Sequence, residues 1–176
     1  MNKAQKNSLR QYIREVPDWP KKGILFRDIT PLLANPDAFA AAIEAVAATA
    51  AGLGVQYVGA VEARGFIFGS AVAEKLGAGF VPIRKKGKLP YKTQAITYEL
   101  EYGSDTLEVH SDAVESGAKV LMVDDLLATG GTMAAACELM SNIGADIVAV
   151  TFLIELAELR GREKLGQYKI NTIISY

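Results

Sequence analysis

With 176 residues and a formal charge of −1, the chain is sized for one domain with a substantial core and has no global basic field for gathering nucleic acid. Its lone cysteine, Cys137, excludes an internal disulfide, a thiolate zinc cluster and a CxxC redox pair, and fits a reducing compartment. The polar start MNKAQKNSLRQ lacks a hydrophobic signal core, and the longest apolar stretch, residues 38–51, is Ala-rich and broken by Glu44, so the expectation is a soluble, cytoplasmic protein that does not engage membranes.

Between Ser8 and Val16, the residues Leu9, Tyr12, Ile13 and Val16 recur at spacings of three and four, which predicts an amphipathic helix ended by Pro17. Pro20, Lys21, Lys22 and Gly23 make a turn-rich loop leading to Ile24, Leu25 and Phe26. Asn35 and Pro36 form an N-cap and first-turn pair for a helix to about Ala51, stopped by Gly52 and Gly54. Strand 57–61 then precedes a helix at about 65–75, and strands 79–83 and 106–110 follow. Strand 119–123 leads into a helix at about 129–143. Strand 147–154, a short helix near 156–164 and a last strand at 169–175 complete the chain. Near-continuous apolar runs at 120–123 and 147–150 indicate strands buried on both faces, hence an α/β fold with a largely parallel sheet under helices. From Lys85 to Asp105 basic, glycine and aromatic residues show no long apolar period, so a long excursion with a mobile portion is expected there. No internal repeat or interdomain linker interrupts residues 1–176, read as a single domain.

The densest chemistry lies in residues 120–132, VLMVDDLLATGGT. An apolar strand ends in two adjacent carboxylates, Asp124 and Asp125, suited to sugar hydroxyls or a metal. The small residues Ala128, Thr129, Gly130, Gly131 and Thr132 then leave room for a phosphate to meet main-chain N–H groups at a helix start, where the macrodipole favours an anion. A P-loop is excluded, because no GK[ST] follows the glycines. Carboxylates beside a phosphate cradle, at the C-terminal edge of a parallel strand, suggest a sugar phosphate.

This wording resembles the binding signature of the type I phosphoribosyltransferases, and DDLLATGGT is similar to that of the members acting on adenine. Further likeness lies in Phe26, Arg27, Asp28 and Ile29, in ARGFIFG at 63–69, RKKGKLP at 84–90, LEYG at 100–103 and GREKL at 161–165, so that nearly the whole chain is covered. The resemblance implies a central, mostly parallel twisted sheet flanked by helices, a small hood over the base site to which residues 1–33 contribute, and a flexible catalytic loop. It also implies transfer of a phosphoribosyl group from 5-phosphoribosyl 1-pyrophosphate (PRPP) to adenine, giving AMP and pyrophosphate in purine salvage. Mg²⁺ is expected mainly through substrate oxygens and water, without dedicated protein ligands, and a homodimer is implied.

By the same resemblance Asp124 and Asp125 contact ribose hydroxyls, residues 128–132 hold the 5-phosphate, and Arg64 helps bind pyrophosphate in a turn with a non-proline cis bond, expected immediately before Arg64. Taken alone, the tetrapeptide at 62–65 favours reading Arg64 as a helix-start residue in a surface salt bridge. Arg84, Lys85, Lys86 and Lys88 alone read as a solvated basic run, while the resemblance places them near substrate phosphates and a dimer interface, with Arg84, Lys85 and Lys88 binding. Glu101 is implied as proton acceptor or purine-positioning carboxylate and Tyr102 as part of the closing loop. The alternative for YELEY at 98–102 is an alternating edge strand. Phe26 and Arg27 match the base-contacting segment, though core packing and a salt bridge explain them as well. His110, in an alternating strand without an evident partner, reads as structural, and Cys137 as a small core residue. The competing functions are a phosphoribosyltransferase for xanthine, hypoxanthine or orotate, and a non-catalytic PRPP sensor that would require a nucleic-acid-binding surface. Residues 91–97, YKTQAIT, do not match the family pattern residue by residue.

Overall fold

The computed structural model describes residues 9–99 and 103–176, which divide into two compact units, one ending at Ala45 and the other beginning at Val46. In the first unit, β1 (Arg14–Pro17) pairs antiparallel with β2 (Leu25–Asp28), Val16 standing opposite Phe26. The connecting turn contains Asp18 in the left-handed region, whose carboxylate accepts from the Gly23 N–H at 2.7 Å, and a cis Trp19–Pro20 bond. This corrects the expected helix from Ser8 to Val16. Only Leu9 and Arg10 are helical among the described residues there, followed by a turn in which Tyr12 N–H donates to the Leu9 carbonyl. A helix of that length is marginal by itself, and pairing with β2 satisfies the backbone from Arg14 onward.

A short helix not expected from the sequence, α1 (Thr30–Ala34), carries a proline in its first turn. The longer α2 (Pro36–Ala48) starts as predicted, with the Ala38 N–H donating to Asn35 Oδ1 at 2.9 Å. It ends three residues before Ala51 and is followed by turns through Gly52 and Gly54, both at positive φ.

The second unit is a sheet of seven strands flanked by helices, in the spatial order β5 (Thr93–Glu99), β6 (Ser104–His110), β4 (Gly79–Lys85), β3 (Tyr57–Val61), β7 (Lys119–Leu127), β8 (Asp146–Glu155), β9 (Ile170–Ser175). Its parallel part joins β4, β3, β7, β8 and β9. Val120, Leu121, Met122 and Val123 are fully buried, as the unbroken apolar run required. Helix α3 (Arg64–Leu76) buries Phe68 and Val72, and α4 (Gly131–Asn142) buries Met133, Ala136, Cys137, Leu139 and Met140. The expected helix near 156–164 proves to be two 3₁₀ turns, Ala157–Leu159 and Gly161–Leu165, broken by Arg160 at φ 54°.

The excursion expected between Lys85 and Asp105 also needs correction. Within it, β5 (Thr93–Glu99) pairs antiparallel in continuous register with β6 (Ser104–His110), whose Arg84-facing end joins β4. The period-two signal rests on only two sizeable residues, Ile96 and Tyr98, which pack against the core while Gln94, Ala95, Thr97 and Glu99 are exposed. Such a Thr-rich edge strand gives little apolar contrast to read.

One ion pair between a buried carboxylate and a half-exposed guanidinium ties the end of the sheet together. Arg162 Nε lies 2.6 Å from Glu155 Oε1, Nη2 donates to Oε2 at 2.9 Å, and the Thr172 hydroxyl donates to the same Oε2 at 2.9 Å. The Arg162 hydrogen bonds outweigh desolvation and hold the Glu155 carboxyl below its ordinary range. A depressed folded-state value means that this contribution is complete above the unfolded pKa of about 4.3 and is lost as pH falls through the lower folded value. Glu155→Gln is expected to lose about 1–2 kcal/mol at pH 7, the half-exposed guanidinium being screened by water. Urea denaturation should show the gap to the parent protein closing below about pH 4, and a gap constant with pH would refute the pairing.

Candidate functional site

Strands β3 and β7 are parallel neighbours, so their C-terminal ends open side by side at the sheet edge where α/β proteins bind ligands. Beyond β3 the chain enters α3 at Arg64. Beyond β7 it passes through Ala128, Thr129 and Gly130 into α4. These ends, with Phe152 of β8, line a cavity of about 240 Å³ that contains Glu62, Arg64, Asp124, Asp125, Ala128, Thr129, Gly130, Gly131 and Thr132. The structure therefore brings together the acid pair, Arg64 and the entire small-residue turn.

Within the cavity Asp125 is 4% exposed and its Oδ2 lies 2.9 Å from Arg64 Nε. The Asp125 N–H donates to Asp124 Oδ1 at 2.9 Å. Desolvation raises the Asp124 carboxyl well above its ordinary range, and the charge of Asp125 adds to the effect. Burial also raises Asp125, although Arg64 opposes it. Two neighbouring carboxylates with one guanidinium retain a proton more readily than exposed acids do. A donor that meets them, such as a sugar hydroxyl, favours their ionised form.

Gly65 is required by this arrangement. A Cβ there would stand 2.8 Å from Asp124 Oδ1, inside any normal contact, so the carboxylate occupies the space a side chain would take. The non-proline cis peptide lies at Glu62–Ala63, one bond earlier than expected. Ala63, at φ −102° and ψ −42°, already has the helical geometry that leads into Arg64.

Glu62 stands in the same turn as Arg64, but the sequence assigns it no role. Desolvation would raise its carboxyl, but the Lys85 N–H donating at 2.7 Å and the Arg84 guanidinium at 3.2 Å outweigh that and hold it low. No local pattern announces the role, because its partners stand more than twenty residues away. Arg84 also donates to the Lys88 carbonyl at 3.1 Å, and the Lys85 ammonium pairs with Asp105 at 2.9 Å. Thus Arg84 and Lys85 do not line the cavity themselves but bond Glu62, which does, and Lys88 is exposed. Phe26 and Arg27 lie on β2 in the first unit, the Phe26 ring tilted 60° against Trp19 with centroids 4.3 Å apart and Arg27 paired with Glu15. Glu101 and Tyr102 lie outside the described residues. Just before them, the Tyr98 hydroxyl meets that of Thr132 at 3.3 Å, so β5 reaches the first turn of α4.

His110 sits edge-on to Tyr91 with ring centroids 6.1 Å apart. Cys137 is fully buried, and burial pushes its thiol up to about 12, which fits a core residue and not a nucleophile. Among the described residues, no group of three or more His, Cys, Asp or Glu side chains converges to hold a metal, and no helix is long and apolar enough to cross a membrane.

Comparison with known proteins places this geometry in context. A phosphoribosyl transferase domain matches residues 32–175. The adenine phosphoribosyltransferase of Pseudothermotoga lettingae is 54% identical over 168 residues, covering 96% of this chain and 99% of that one. The Rhizobium meliloti protein of the same name is 53% identical over 175 residues, with 98% and 97% covered. The crystal structure of adenine phosphoribosyltransferase from Thermoanaerobacter pseudethanolicus has a TM-score of 0.94 at 49% identity, with 97% and 99% covered. That from Saccharomyces cerevisiae, complexed with an imino-altritol bisphosphate and adenine, has a TM-score of 0.92 at 39% identity, with 97% and 98% covered.

The crowding at Gly65 makes a prediction whose sign is informative. Alanine is favoured over glycine inside a helix by roughly 0.5–1 kcal/mol, whereas an overpacked methyl costs roughly 1–3 kcal/mol. Gly65→Ala is expected to be destabilised by about 1 kcal/mol net, measured by denaturant melts. A gain in stability would show that Asp124 yields freely.

Proposed function

The chain belongs to the phosphoribosyltransferase family, among the adenine phosphoribosyltransferases, and we propose that its cavity binds PRPP and adenine and joins them to give AMP and pyrophosphate. The observation that supports this most is the meeting, in one cavity, of the Asp124–Asp125 pair with the open N-terminus of α4. The turn of Ala128, Thr129, Gly130, Gly131 and Thr132 receives the 5-phosphate on main-chain N–H groups and the helix dipole. Asp124 and Asp125 accept hydrogen bonds from the ribose 2- and 3-hydroxyls, which holds the pentose from its other side.

The reaction breaks the bond between the anomeric carbon and the pyrophosphate oxygen, and forms one from that carbon to adenine N9, through an oxocarbenium-like state. Arg64 is the cation nearest the leaving group. Its guanidinium stands 2.9 Å from Asp125 on the cavity wall and is part-exposed there, so the same charge serves carboxylate and pyrophosphate. Arg84, Lys85 and Lys88 add positive charge on the same side. Mg²⁺, when bound, offsets the negative charge of the departing pyrophosphate, and the residues fit it only as an edge of carboxylates, Asp124 and Asp125, since most of its ligands would be substrate oxygens and water.

N9 must lose its proton, and Glu101 accepts it while Tyr102 closes over the pentose and keeps water from the activated carbon. Phe26 and Arg27 contact the base. The working species is a cytoplasmic homodimer, with the basic run after β4 near the interface.

A coupled assay should show PRPP-dependent consumption of adenine, and a panel of hypoxanthine, xanthine and orotate should give little turnover. Preference for one of the latter would replace the base assignment. Asp124→Asn with Asp125→Asn should raise the KM for PRPP at least 10-fold, since a hydrogen bond to a charged group is worth about 1.5–3 kcal/mol. Because the hydroxyls donate to ionised carboxylates whose pKa values are raised, parental PRPP affinity should increase as pH climbs through that range. In the double variant this dependence should flatten, and unchanged affinity would defeat the ribose contact. Near-parental turnover in both Glu101→Gln and Glu101→Ala would remove Glu101 from the mechanism.

A further inference from the structure

The segment GREKL at 161–165, singled out in the sequence, plays no part in the chemistry above. Yet Gly161 touches the phosphate turn without lining the cavity. A methyl on Gly161 would stand 2.3 Å from the Ala128 carbonyl oxygen and 3.1 Å from the Gly130 nitrogen, and one on Gly130 would stand 2.4 Å from the Gly161 carbonyl oxygen. These neighbours are main-chain atoms, so no rotamer change relieves the crowding. Two backbones meet directly there, and the Leu127 Cδ1 atom stands 2.8 Å from the same Gly161 methyl position.

Gly161 is itself held firmly. Arg160 turns the chain through the left-handed region, Leu165 is fully buried, and the Leu156 N–H donates to the Leu127 carbonyl at 2.9 Å. Beside Gly161, the Arg162 fork grips Glu155 on β8. A continuous chain of contacts runs from the sheet end through Arg162 and Gly161 to the turn.

We propose that Gly161, locked by the Arg162–Glu155 pair, is a positioning residue for the 5-phosphate: it sets the depth of the turn at 128–130 and hence the aim of the N–H groups that grip the anion. The proposal rests on the phosphate reading of that turn. Ordinary contact begins at 3.4 Å, so a methyl at Gly161 requires the turn to move by about 1 Å, a misplacement large enough to cost up to about 10²-fold when binding groups must be aligned. Loss of the Arg162 fork loosens the same support without adding bulk.

The test uses the full chain, with calorimetric titrations of ribose 5-phosphate and, separately, of pyrophosphate in magnesium buffer, beside steady-state kinetics. Gly161→Ala is expected to weaken ribose 5-phosphate binding at least about 10-fold, and Arg162→Gln about 3- to 10-fold. Pyrophosphate affinity should stay within about 2-fold, and the KM for PRPP should rise far more than kcat falls. A general loss of structure would move both ligands together, so equal weakening of both overturns the proposal, as does parental ribose 5-phosphate affinity in Gly161→Ala. If Gly161→Ala does not fold, the same two criteria are applied to Arg162→Gln. Failure of the parental protein to bind ribose 5-phosphate would instead remove the phosphate reading, and the positioning role with it.

Discussion

Two adjacent carboxylates, one buried and one part-buried, beside the Arg64 guanidinium are the constraint around which this site is built. Asp125 is almost wholly buried and stands 2.9 Å from Arg64, while Asp124 lies in the space left by the missing side chain of Gly65. Removing two negative charges from water is costly unless donors surround them. Arg64 and the Asp125 N–H supply part of that compensation, and the remaining capacity to accept hydrogen bonds faces the cavity. A polyhydroxylated ligand with anionic ends completes both halves of the arrangement.

Parallel strand topology makes the arrangement possible. Because β3 and β7 are neighbours running in the same direction, Arg64 and Asp125 emerge together although they lie 61 positions apart in the chain. The same edge carries the start of α4, so an anion-favouring helix end lies next to the acids. On its outer side the turn between them rests on Gly161 main chain to main chain, and the Arg162–Glu155 fork fixes that contact to β8. Glu62 ties the other rim to β4 through Arg84 and Lys85. Charged pairs thus frame the cavity on both sides, where loops alone would leave its walls free to drift.

Legibility in the sequence followed the strength of local signals. Strand β3 was readable to the residue, and β7 in its first five residues, because apolar runs bounded by glycine or charge permit few other structures. Helix α2 announced its start through Asn35 and Pro36. The N-terminal periodicity misled, since four apolar residues at helical spacing serve a turn followed by β1 equally well once β2 is there to pair with. Strand β5 was hidden for the opposite reason: threonines and a few half-buried residues give little contrast, and its ladder partner β6 supplies what its composition does not.

By itself the chain determined the alternation of strands and helices, the parallel character of the central sheet, and the placing of two acids and a small-residue turn after one strand. All of these depend on residues within a few positions of one another, where periodicity, capping and backbone sterics act. Only the tertiary structure decided that Arg64 rests on Asp125, that Glu62 engages Arg84 and Lys85, that Gly161 abuts the turn at 128–130, and that the cis bond precedes Ala63. The first three depend on which distant segments the sheet order brings into contact, and no local preference encodes a distance between residues twenty to sixty apart.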